Sequence, residues 1–377
     1  MSERPEHISP STADGKAASR AHVAAIIEDR VIAALGALLR GGAGWLPRVE
    51  PYTGFGTPRR VRVLARVLLS PRRLGHGAPR PVQRGFRTFL TLPAPGRRVI
   101  VTVGDTVVEA VSDRAGYIDV EVDLPTGAPL EPGWQRATLR TTDPYGVEVH
   151  AGLVVVGDDA RLGVISDIDD TAMVTAVPTL FVAAWNMLWV RAAARRAVRG
   201  MAELYASVAQ AHPDAPFVYL SAGAWNTART LRRFLARHGY PPGPLLLTDF
   251  GPTQTGWFRS GRQHKTTSLE RLFATFPQVR WLLVGDDGQQ DPEIYAQAAR
   301  EHPDTVLAIG IRTMSRTERV IATAGAAKDR RPGEAASSAA SRTEQVAAAV
   351  RPVVTGRDGE ELAAGLATVP GLLDSTD

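Results

Sequence analysis

Short apolar runs alternate with helical patterns across the second half of this 377-residue chain, and that alternation constrains the fold more than any other feature. Strands separated by helices form βαβ units, which build a parallel sheet with helices on both faces. We therefore expect an α/β domain over residues 158–324. The predicted strands are 162–165, 217–220, 245–247, 279–284 and 306–311, and the predicted helices are 183–209, 226–238, 267–276 and 292–302.

A different pattern precedes this domain. Between about residue 59 and residue 156, six runs of alternating apolar and polar residues are separated by turn residues, with no helical segment between them. Such runs predict strands, so we expect an all-β, sandwich-like domain over residues 43–157. Gly104 and Asp105 predict a hairpin turn. The GFGTP segment at 54–58 lacks the spacing of a dinucleotide-binding loop, and we interpret it as a turn.

The two ends of the chain are less regular. Residues 1–19 are polar with Pro and Ser, which predicts a disordered tail. Apolar residues recur at helical spacing over 20–42, so we expect one amphipathic helix that docks on the domain after it. Residues 325–377 are rich in Ala and Ser, which predicts a flexible tail with short helices near 344–350 and 360–367.

Composition limits where the protein works. The chain has no cysteine, which excludes disulfides and thiolate metal sites and favours a reducing compartment. The first sixteen residues lack the apolar core of a secretory signal. The longest apolar stretch, 173–190, is interrupted by Pro178 and Asn186 and makes a poor membrane span. We expect a cytoplasmic protein with at most peripheral membrane contact.

Charge is distributed unevenly along the β-rich part. The net charge is +5, but residues 51–104 hold eleven arginines and no acid, whereas the charged residues among 105–158 are mostly acidic. This asymmetry predicts a basic face for an anionic partner, although solvated arginines without a partner give the same pattern. We expect contact with anionic membranes through residues 59–98, and we expect no nucleic acid partner.

Polar residues collect where the predicted parallel strands end. The carboxyl ends of adjacent parallel strands meet in one crevice, which is where ligands bind in such sheets. Crowded carboxylates repel each other unless a cation lies between them, and oxygen ligands suit Mg²⁺. A carboxylate nucleophile, a hydroxyl and an ammonium group together suit phosphoryl transfer. The residues are Asp167, Asp169, Asp170, Thr171, Ser221, Lys265, Asp286, Asp287 and Asp291.

Lys265 stands out because the chain prefers arginine. It is one of three lysines, and the other two, Lys16 and Lys328, lie in the predicted tails. Lysine supplies a compact point charge where arginine supplies a broad fork, so a binding role is indicated. We place Lys265 in a loop, GRQHK, before a helix. The alternative is an ordinary surface lysine.

The sequence argues against two other functional sites at these residues and leaves some purely structural roles open. The DIDDT segment is not a calcium-binding EF-hand loop, because Thr171, Ala172 and Pro178 occupy three of its key positions. Ser221 lacks the first glycine of a hydrolase nucleophile turn, but a helix-capping role stays open. Asp170 and Asp287 could serve only as caps or ion-pair partners.

These residues form four motifs, which are the DIDDT segment 167–171, Ser221, Lys265, and Asp286 and Asp287 with Asp291. The four motifs resemble those of the haloacid dehalogenase (HAD) phosphatase superfamily. More narrowly, ISDIDDTAMVT, RGMAELY, FVYLSAGAWN and LLVGDDGQQDPEIY resemble the catalytic domain of the actin-patch-protein type of phosphatidate phosphatase, over about residues 163–313. This resemblance implies an α/β domain with a HAD-like Rossmannoid sheet. It also implies a Mg²⁺-dependent phosphomonoesterase that works through an aspartyl-phosphate, with no cofactor beyond the metal.

The same resemblance implies a role for each motif residue. Asp167 would attack phosphorus, and Asp169 would protonate the leaving oxygen and then activate water. Thr171 would steady the loop, while Ser221 and Lys265 would bind the phosphoryl group. The implied metal ligands are Asp167, Asp169 and Asp286, supported by Asp287 or Asp291.

The segment 173–199 bears on the substrate. It places Trp185 and Trp189 beside Arg191, Arg195 and Arg196, which suits a membrane interface and an anionic lipid head group. The alternative is an amphipathic helix packed on the sheet. We expect phosphatidate to be dephosphorylated to diacylglycerol. Two alternatives are a phosphatase for a soluble phosphomonoester and a lipid- or protein-binding module with an incidental HAD domain.

Overall fold

Two sheets organise the part of the chain that the computed structural model describes, which is residues 45–71, 92–143, 146–174, 196–248, 261–288, 290–315 and 351–373. One sheet has nine strands, mostly antiparallel, and the other has six parallel strands. The predicted tail 1–19 and helix 20–42 lie outside the described residues. Within those ranges, no helix combines the length and apolarity that crossing a membrane requires.

The nine-stranded sheet contains all six strands predicted for the β-rich part. The turn predicted for GFGTP is wrong for residues 54–56, which form a strand. This strand pairs antiparallel with residues 61–62 on one side and parallel with residues 153–155 on the other. A Cβ on Gly54 would lie 2.2 Å from the carbonyl oxygen of Arg62, so glycine permits this close pairing. The strands are β1 Trp45–Pro51, β2 Gly54–Gly56, β3 Arg60–Pro71, β4 Leu92–Pro93, β5 Arg98–Val103, β6 Thr106–Val111, β7 Tyr117–Asp123, β8 Gly133–Thr141 and β9 Val149–Val155.

Hydrogen bonding runs through this sheet without a break, in the order β1-β3-β2-β9-β8-β5-β6, and β4 and β7 also pair with β3. Strand β1 contacts β8 and β9 without pairing with them, so the sheet folds over a core of mostly valine, leucine and alanine. The two layers expected of a sandwich are thus joined through β2 and the twelve-residue β3. The predicted hairpin turn at Gly104 and Asp105 joins β5 to β6.

Arginines from the basic stretch pair across strands with acids from the acidic stretch. The predicted basic face is therefore neutralised at these positions, and membrane contact through residues 59–98 stays a prediction. The reason is the antiparallel register, which sets β3 beside β7 and β5 between β6 and β8; Arg97 and Asp143 lie just beyond the paired ends of β5 and β8. The ion pairs are Arg60–Asp123, Arg62–Asp119, Arg97–Asp143 and Arg98–Glu109.

The parallel sheet has the order β12-β11-β10-β13-β14-β15 and contains all five strands predicted for the α/β part. From β10 the chain builds outward to β11 and β12, then returns to the other side of β10. A crevice therefore opens at the carboxyl end of β10, where the strand order reverses. The strands are β10 Leu162–Asp167, β11 Phe217–Ala224, β12 Leu245–Thr248, β13 Arg280–Asp286, β14 Val306–Arg312 and β15 Val353–Gly356.

Helices cover this sheet. Two of them, α3 and α4, pack on each other and on β11 to β14, while α1 packs on α5. The predicted helix 183–209 is wrong over residues 196–200, which are not helical, and residues 175–195 lie outside the described ranges. The helices are α1 Met201–Ala211, α2 Ala228–Arg237, α3 Gly261–Thr275, α4 Asp291–Glu301 and α5 Gly359–Leu366.

The prediction of a flexible tail is wrong for residues 351–373, and the α/β domain therefore extends past residue 324. Strand β15 pairs in parallel with β14, and Asp358 caps α5 by accepting from the backbone N–H groups of Glu360 and Glu361. Leu362 and Leu366 of α5 are fully buried. The helix predicted near 360–367 is present as α5, whereas the one predicted near 344–350 lies outside the described residues. Composition did not indicate that β15 and α5 dock on the sheet, because a short element needs only a few apolar residues on one face to do so.

Aromatic contacts join the two sheets close to the carboxyl end of β11. Trp225 begins a short 3₁₀ turn after β11, and its ring stacks on Tyr52 with centroids 4.4 Å apart. Phe55 lies 6.1 Å from Phe276, centroid to centroid. Tyr52 and Phe55 belong to the same buried cluster as the parallel-sheet core. The β-rich part therefore packs on the α/β part at two places: at Trp225, just after the strand that carries Ser221, and at Phe276, which precedes β13.

Candidate active site

Asp167 and Lys265 form the centre of the site. Every residue of β10 is buried, and Asp167 is its last residue. The Nζ of Lys265 donates to Oδ1 of Asp167 at 2.7 Å and to Oδ1 of Asp291 at 2.5 Å. All three side chains are buried. The ammonium group of Lys265 thus bridges the carboxyl end of β10 and the first residue of α4.

Lys265 lies within helix α3 and not in the predicted loop before it. A helix holds the ammonium group in place more firmly than a loop does, and its stem packs away from water. Burial alone would lower the pKa of Lys265, but the neighbouring carboxylates of Asp167 and Asp291 raise it above its ordinary value. Lys265 therefore carries its positive charge at every physiological pH.

Three carboxylates converge beside this lysine. Asp167, Asp286 and Asp291 are buried, and each offers an oxygen within 4.8 Å of the other two. Burial, above all, raises the pKa of Asp167 well above its usual range, although Lys265 opposes the shift. Burial and the charge of Asp291 likewise raise the pKa of Asp286. The cluster carries more negative charge than one lysine balances when all three groups ionise.

The residues present fit a divalent cation. Oδ2 of Asp167 and Oδ2 of Asp291 have no hydrogen-bond partner among the described residues, although both atoms are buried. Buried carboxylate oxygens without partners cost free energy unless a ligand satisfies them. An all-oxygen donor set with excess negative charge suits Mg²⁺ better than a softer metal.

Asp169 and Ser221 make the second contact of the site. Ser221 lies inside β11, where we expected it just after the strand, and its Oγ donates to Oδ2 of Asp169 at 2.8 Å. The same Oγ accepts from the backbone N–H of Gly223 at 2.9 Å. Ser221 therefore holds the Asp169 carboxylate, while that carboxylate stays outside the three-carboxylate cluster.

Of the remaining predicted residues, Thr171 and Asp291 lie close to Asp167 or Lys265, whereas Asp287 has a structural contact. Thr171 is fully buried within residues 168–174, which follow β10 and are called the Asp167 loop here, and its Oγ1 has no partner among the described residues. Asp287 accepts from the backbone N–H of Met314 at 2.8 Å, which holds the turn after β13. Of the two acids left open as metal support, Asp291 joins the cluster and Asp287 does not.

Most of the predicted substrate segment falls outside the described residues, including Trp185, Trp189, Arg191 and Arg195. Its two ends meet, because the N–H of Val174 donates to the carbonyl oxygen of Arg196 at 2.9 Å. The Arg196 side chain is exposed. The two residues that flank 175–195 therefore lie side by side, at the end of the Asp167 loop.

Sequence reasoning assigned no role to Tyr205 and Arg312, which both support the site. The hydroxyl of Tyr205 donates to Oγ of Ser166, which donates to the carbonyl oxygen of Asp167, each at 2.6 Å. Tyr205 is the last residue of the RGMAELY motif, so the family resemblance could have pointed to it. Arg312 had no such signal in an arginine-rich chain.

The raised carboxyl pKa values predict how Mg²⁺ stabilises the protein at different pH. Without metal, the folded state binds more protons than the unfolded state between the ordinary and the raised pKa values of Asp167 and Asp286. Metal-free stability therefore falls as pH rises through that window, and a bound cation removes the penalty. We expect the increase in Tm caused by MgCl₂ to be larger at pH 8 than at pH 6. An increase that is equal at both pH values would contradict a cation at these carboxylates.

The comparisons with known proteins agree with the position of this site. Residues 162–313 match the sequence model of the family described as "Phosphatidate phosphatase APP1, catalytic domain". The family resemblance is thereby confirmed for this part of the chain. All the motif residues discussed above lie inside the APP1 catalytic-domain match, whereas the nine-stranded sheet and residues 351–373 lie outside it.

Individual relatives cover less than the whole protein. The Saccharomyces cerevisiae protein named phosphatidate phosphatase APP1 is 25% identical over 214 residues, which cover 56% of this chain and 34% of the yeast protein. An uncharacterized protein of Schizosaccharomyces pombe is 25% identical over 181 residues, which cover 46% of this chain and 28% of that protein. The chain thus spans about a third of the length of these curated relatives.

Solved structures add a weaker likeness. A carbohydrate acetylesterase from Xanthomonas citri aligns with 86% of this chain and 75% of its own, with a TM-score of 0.30 and 11% identity. A likeness at this level indicates neither the fold nor the activity of this chain.

Proposed function

We propose that this protein is a Mg²⁺-dependent phosphomonoesterase of HAD type that acts through an aspartyl-phosphate on Asp167, with phosphatidate as substrate. The observation that carries the proposal is the contact of Lys265 with Asp167 and Asp291 at the end of β10. The match of residues 162–313 to the APP1 catalytic-domain family supports phosphatidate over other phosphomonoesters.

In this proposal Asp167 is the nucleophile. Its carboxylate oxygen forms a bond to phosphorus while the bond from phosphorus to the alkoxide leaving group breaks. Lys265 fixes the orientation of the carboxylate through Oδ1 and offsets negative charge on the phosphoryl oxygens. Asp167, Asp286 and Asp291 would hold Mg²⁺, which when bound offsets the repulsion between an anionic nucleophile and an anionic ester.

Asp169 handles the proton in both half-reactions. It gives a proton to the leaving oxygen in the first step, and in the second it takes one from the water that attacks phosphorus and frees Asp167. Ser221 holds Oδ2 of Asp169 at 2.8 Å, which fixes the orientation of the carboxyl group that carries this proton. Proton transfer of this kind contributes about 10² to 10⁴ in rate.

Access to a lipid substrate is the second part of the proposal. Residues 175–195 begin and end beside the Asp167 loop, and they hold Trp185 and Trp189 with Arg191 and Arg195. Aromatic and basic side chains together favour the interface of an anionic bilayer, where phosphatidate lies. Peripheral contact of this segment with the membrane would bring the phosphate head group to Asp167.

A substrate panel tests the proposal. We expect phosphate release from long-chain phosphatidate in mixed micelles to exceed release from a soluble short-chain analogue and from glucose 6-phosphate by about 10-fold or more. We expect EDTA to abolish the release and excess MgCl₂ to restore it.

Each other outcome selects an alternative. Equal rates on micellar and soluble substrates would favour a phosphatase for a soluble phosphomonoester. No release from any substrate with Mg²⁺ present, together with binding to phosphatidate vesicles, would favour a binding module.

A further inference from the structure

Arg312 connects three segments that surround the site. It is the last residue of β14, and its side chain is 5% exposed. Its Nη1 donates to the carbonyl oxygen of Asp170 at 2.8 Å, and its Nε donates to the carbonyl oxygen of Arg357 at 3.2 Å. Its own carbonyl oxygen accepts from the N–H of Asp287 at 3.0 Å. One buried residue therefore contacts the Asp167 loop, the turn after β13 and the C-terminal segment.

The carbonyl group that Arg312 holds belongs to a strained residue. Asp170 has a φ of 57°, and it is the only non-glycine residue with a positive φ in the described part of the chain. The left-handed conformation costs an L-residue about 1–2 kcal/mol, and it persists only where surrounding contacts enforce it. Two hydrogen bonds contribute here: the bond from Arg312 to the carbonyl oxygen of Asp170, and the bond from the N–H of Asp170 to the carbonyl oxygen of Met173.

The strained residue lies directly between two residues of the proposed mechanism. Asp169 precedes it and Thr171 follows it, so the backbone angles of Asp170 set the direction in which the chain leaves Asp169. The Asp169 carboxylate is held at its far end by Ser221. Fixing the backbone on one side and the carboxylate on the other leaves the proton-carrying group little freedom.

We propose that Arg312 is a positioning residue for the phosphoryl-transfer reaction. It keeps Asp170 in the left-handed conformation and thereby orients Asp169, and the C-terminal segment assists by anchoring the guanidinium through Arg357. This inference rests on the proposed function. It also gives residues 351–373, which lie outside the APP1 catalytic-domain match, a part in the active site.

A double-mutant cycle tests the inference. Arg312→Lys keeps the charge but cannot donate in two directions from one planar group, so we expect kcat to fall about 10²-fold while KM changes little. Glycine adopts a positive φ without cost, so the same Arg312→Lys change made in an Asp170→Gly background should lower kcat far less. An equal loss of kcat in both backgrounds would show that Arg312 acts only through overall stability and would overturn the proposal.

A second measurement does not depend on catalysis. The N–H groups of Ala172 and Met173 donate to the carbonyl oxygen of Ile168, and they should exchange with solvent about 10-fold faster in Arg312→Lys than in the parent protein. The Asp170→Gly background should restore the slow exchange. Unchanged exchange in Arg312→Lys would contradict the proposal even if the protein proved to have no phosphatase activity. Arg300→Lys, on the exposed side of α4, is the matched control and should alter neither measurement.

Discussion

The Asp167→Asn variant is expected to lose phosphate release from phosphatidate by about 10⁴-fold or more, because an amide cannot attack phosphorus as a carboxylate does. The measurement is inorganic phosphate released from mixed micelles at saturating MgCl₂. Asp159→Asn is the matched control, because Asp159 is an exposed acid in the loop before β10. The activity of this control variant should stay at the parent level.

The same variant should be no less stable than the parent protein. Asp167 is buried beside Asp286 and Asp291, and its raised pKa reports that its negative charge is costly in the folded state. A neutral isostere removes that cost, so without metal at pH 8 we expect its Tm to equal or exceed that of the parent. Full activity in Asp167→Asn would exclude Asp167 as the nucleophile.

Replacing Asp169 separates the two half-reactions. Asp169→Asn should still allow slow attack by Asp167 but should retard hydrolysis of the aspartyl-phosphate. Phosphate from labelled substrate should therefore stay on the protein in Asp169→Asn and be missing from Asp167→Asn. Label on neither variant would argue against a covalent intermediate.

The Lys265→Met variant is expected to lose both activity and metal-free stability. Removing the one ammonium group leaves Asp167 and Asp291 as buried carboxylates without their cation, and breaking a buried pair in this way costs about 3–5 kcal/mol. The cost should be larger at pH 8 than at pH 6, because burial raises the pKa of Asp167 and its ionised form then lacks the ammonium partner. Denaturant unfolding without metal at pH 6 and pH 8 measures both effects.

Magnesium should separate the structural and catalytic roles of Lys265. Added MgCl₂ supplies positive charge to the same carboxylates, so it should recover much of the lost stability of Lys265→Met. Activity should stay about 10² to 10³ below the parent, because the phosphoryl group still lacks its ammonium partner. Arg271→Met removes an exposed cation from the same helix and is the control. Full recovery of activity by Mg²⁺ would reduce Lys265 to a structural role.

Much of the fold followed from pattern alone. All five strands predicted for the parallel sheet and all six predicted for the β-rich part are present, because buried strands need the apolar residues that reveal them. The prediction of a flexible tail failed over residues 351–373: the short helix expected near 360–367 is present as α5, but β15 and the docking of both elements on the sheet were not predicted. The turn prediction for residues 54–56 failed for a related reason, because glycine occurs both in turns and where two strands approach closely.

The sequence by itself determined which chemical groups are available for the site. Three sets of groups could be identified because each follows or adjoins a recognisable strand or helix: the acids of the DIDDT segment, the one lysine among the described residues and the acids at the end of β13 and after it. The tertiary structure decided how they combine. It brought Asp291 rather than Asp287 to Lys265, turned Ser221 towards Asp169, and paired the arginines of β3 and β5 with acids from later strands.

The physical reason is that these choices depend on distances between residues far apart in the chain. Asp167 and Lys265 are 98 positions apart, and Asp170 and Arg312 are 142 positions apart, so no local pattern encodes either contact. Periodicity reports which face of a strand or helix is buried, but only the packed sheet sets which side chains meet at its edge. The sequence thus supplied the carboxylates and the lysine, and the fold made them one buried, charge-coupled site.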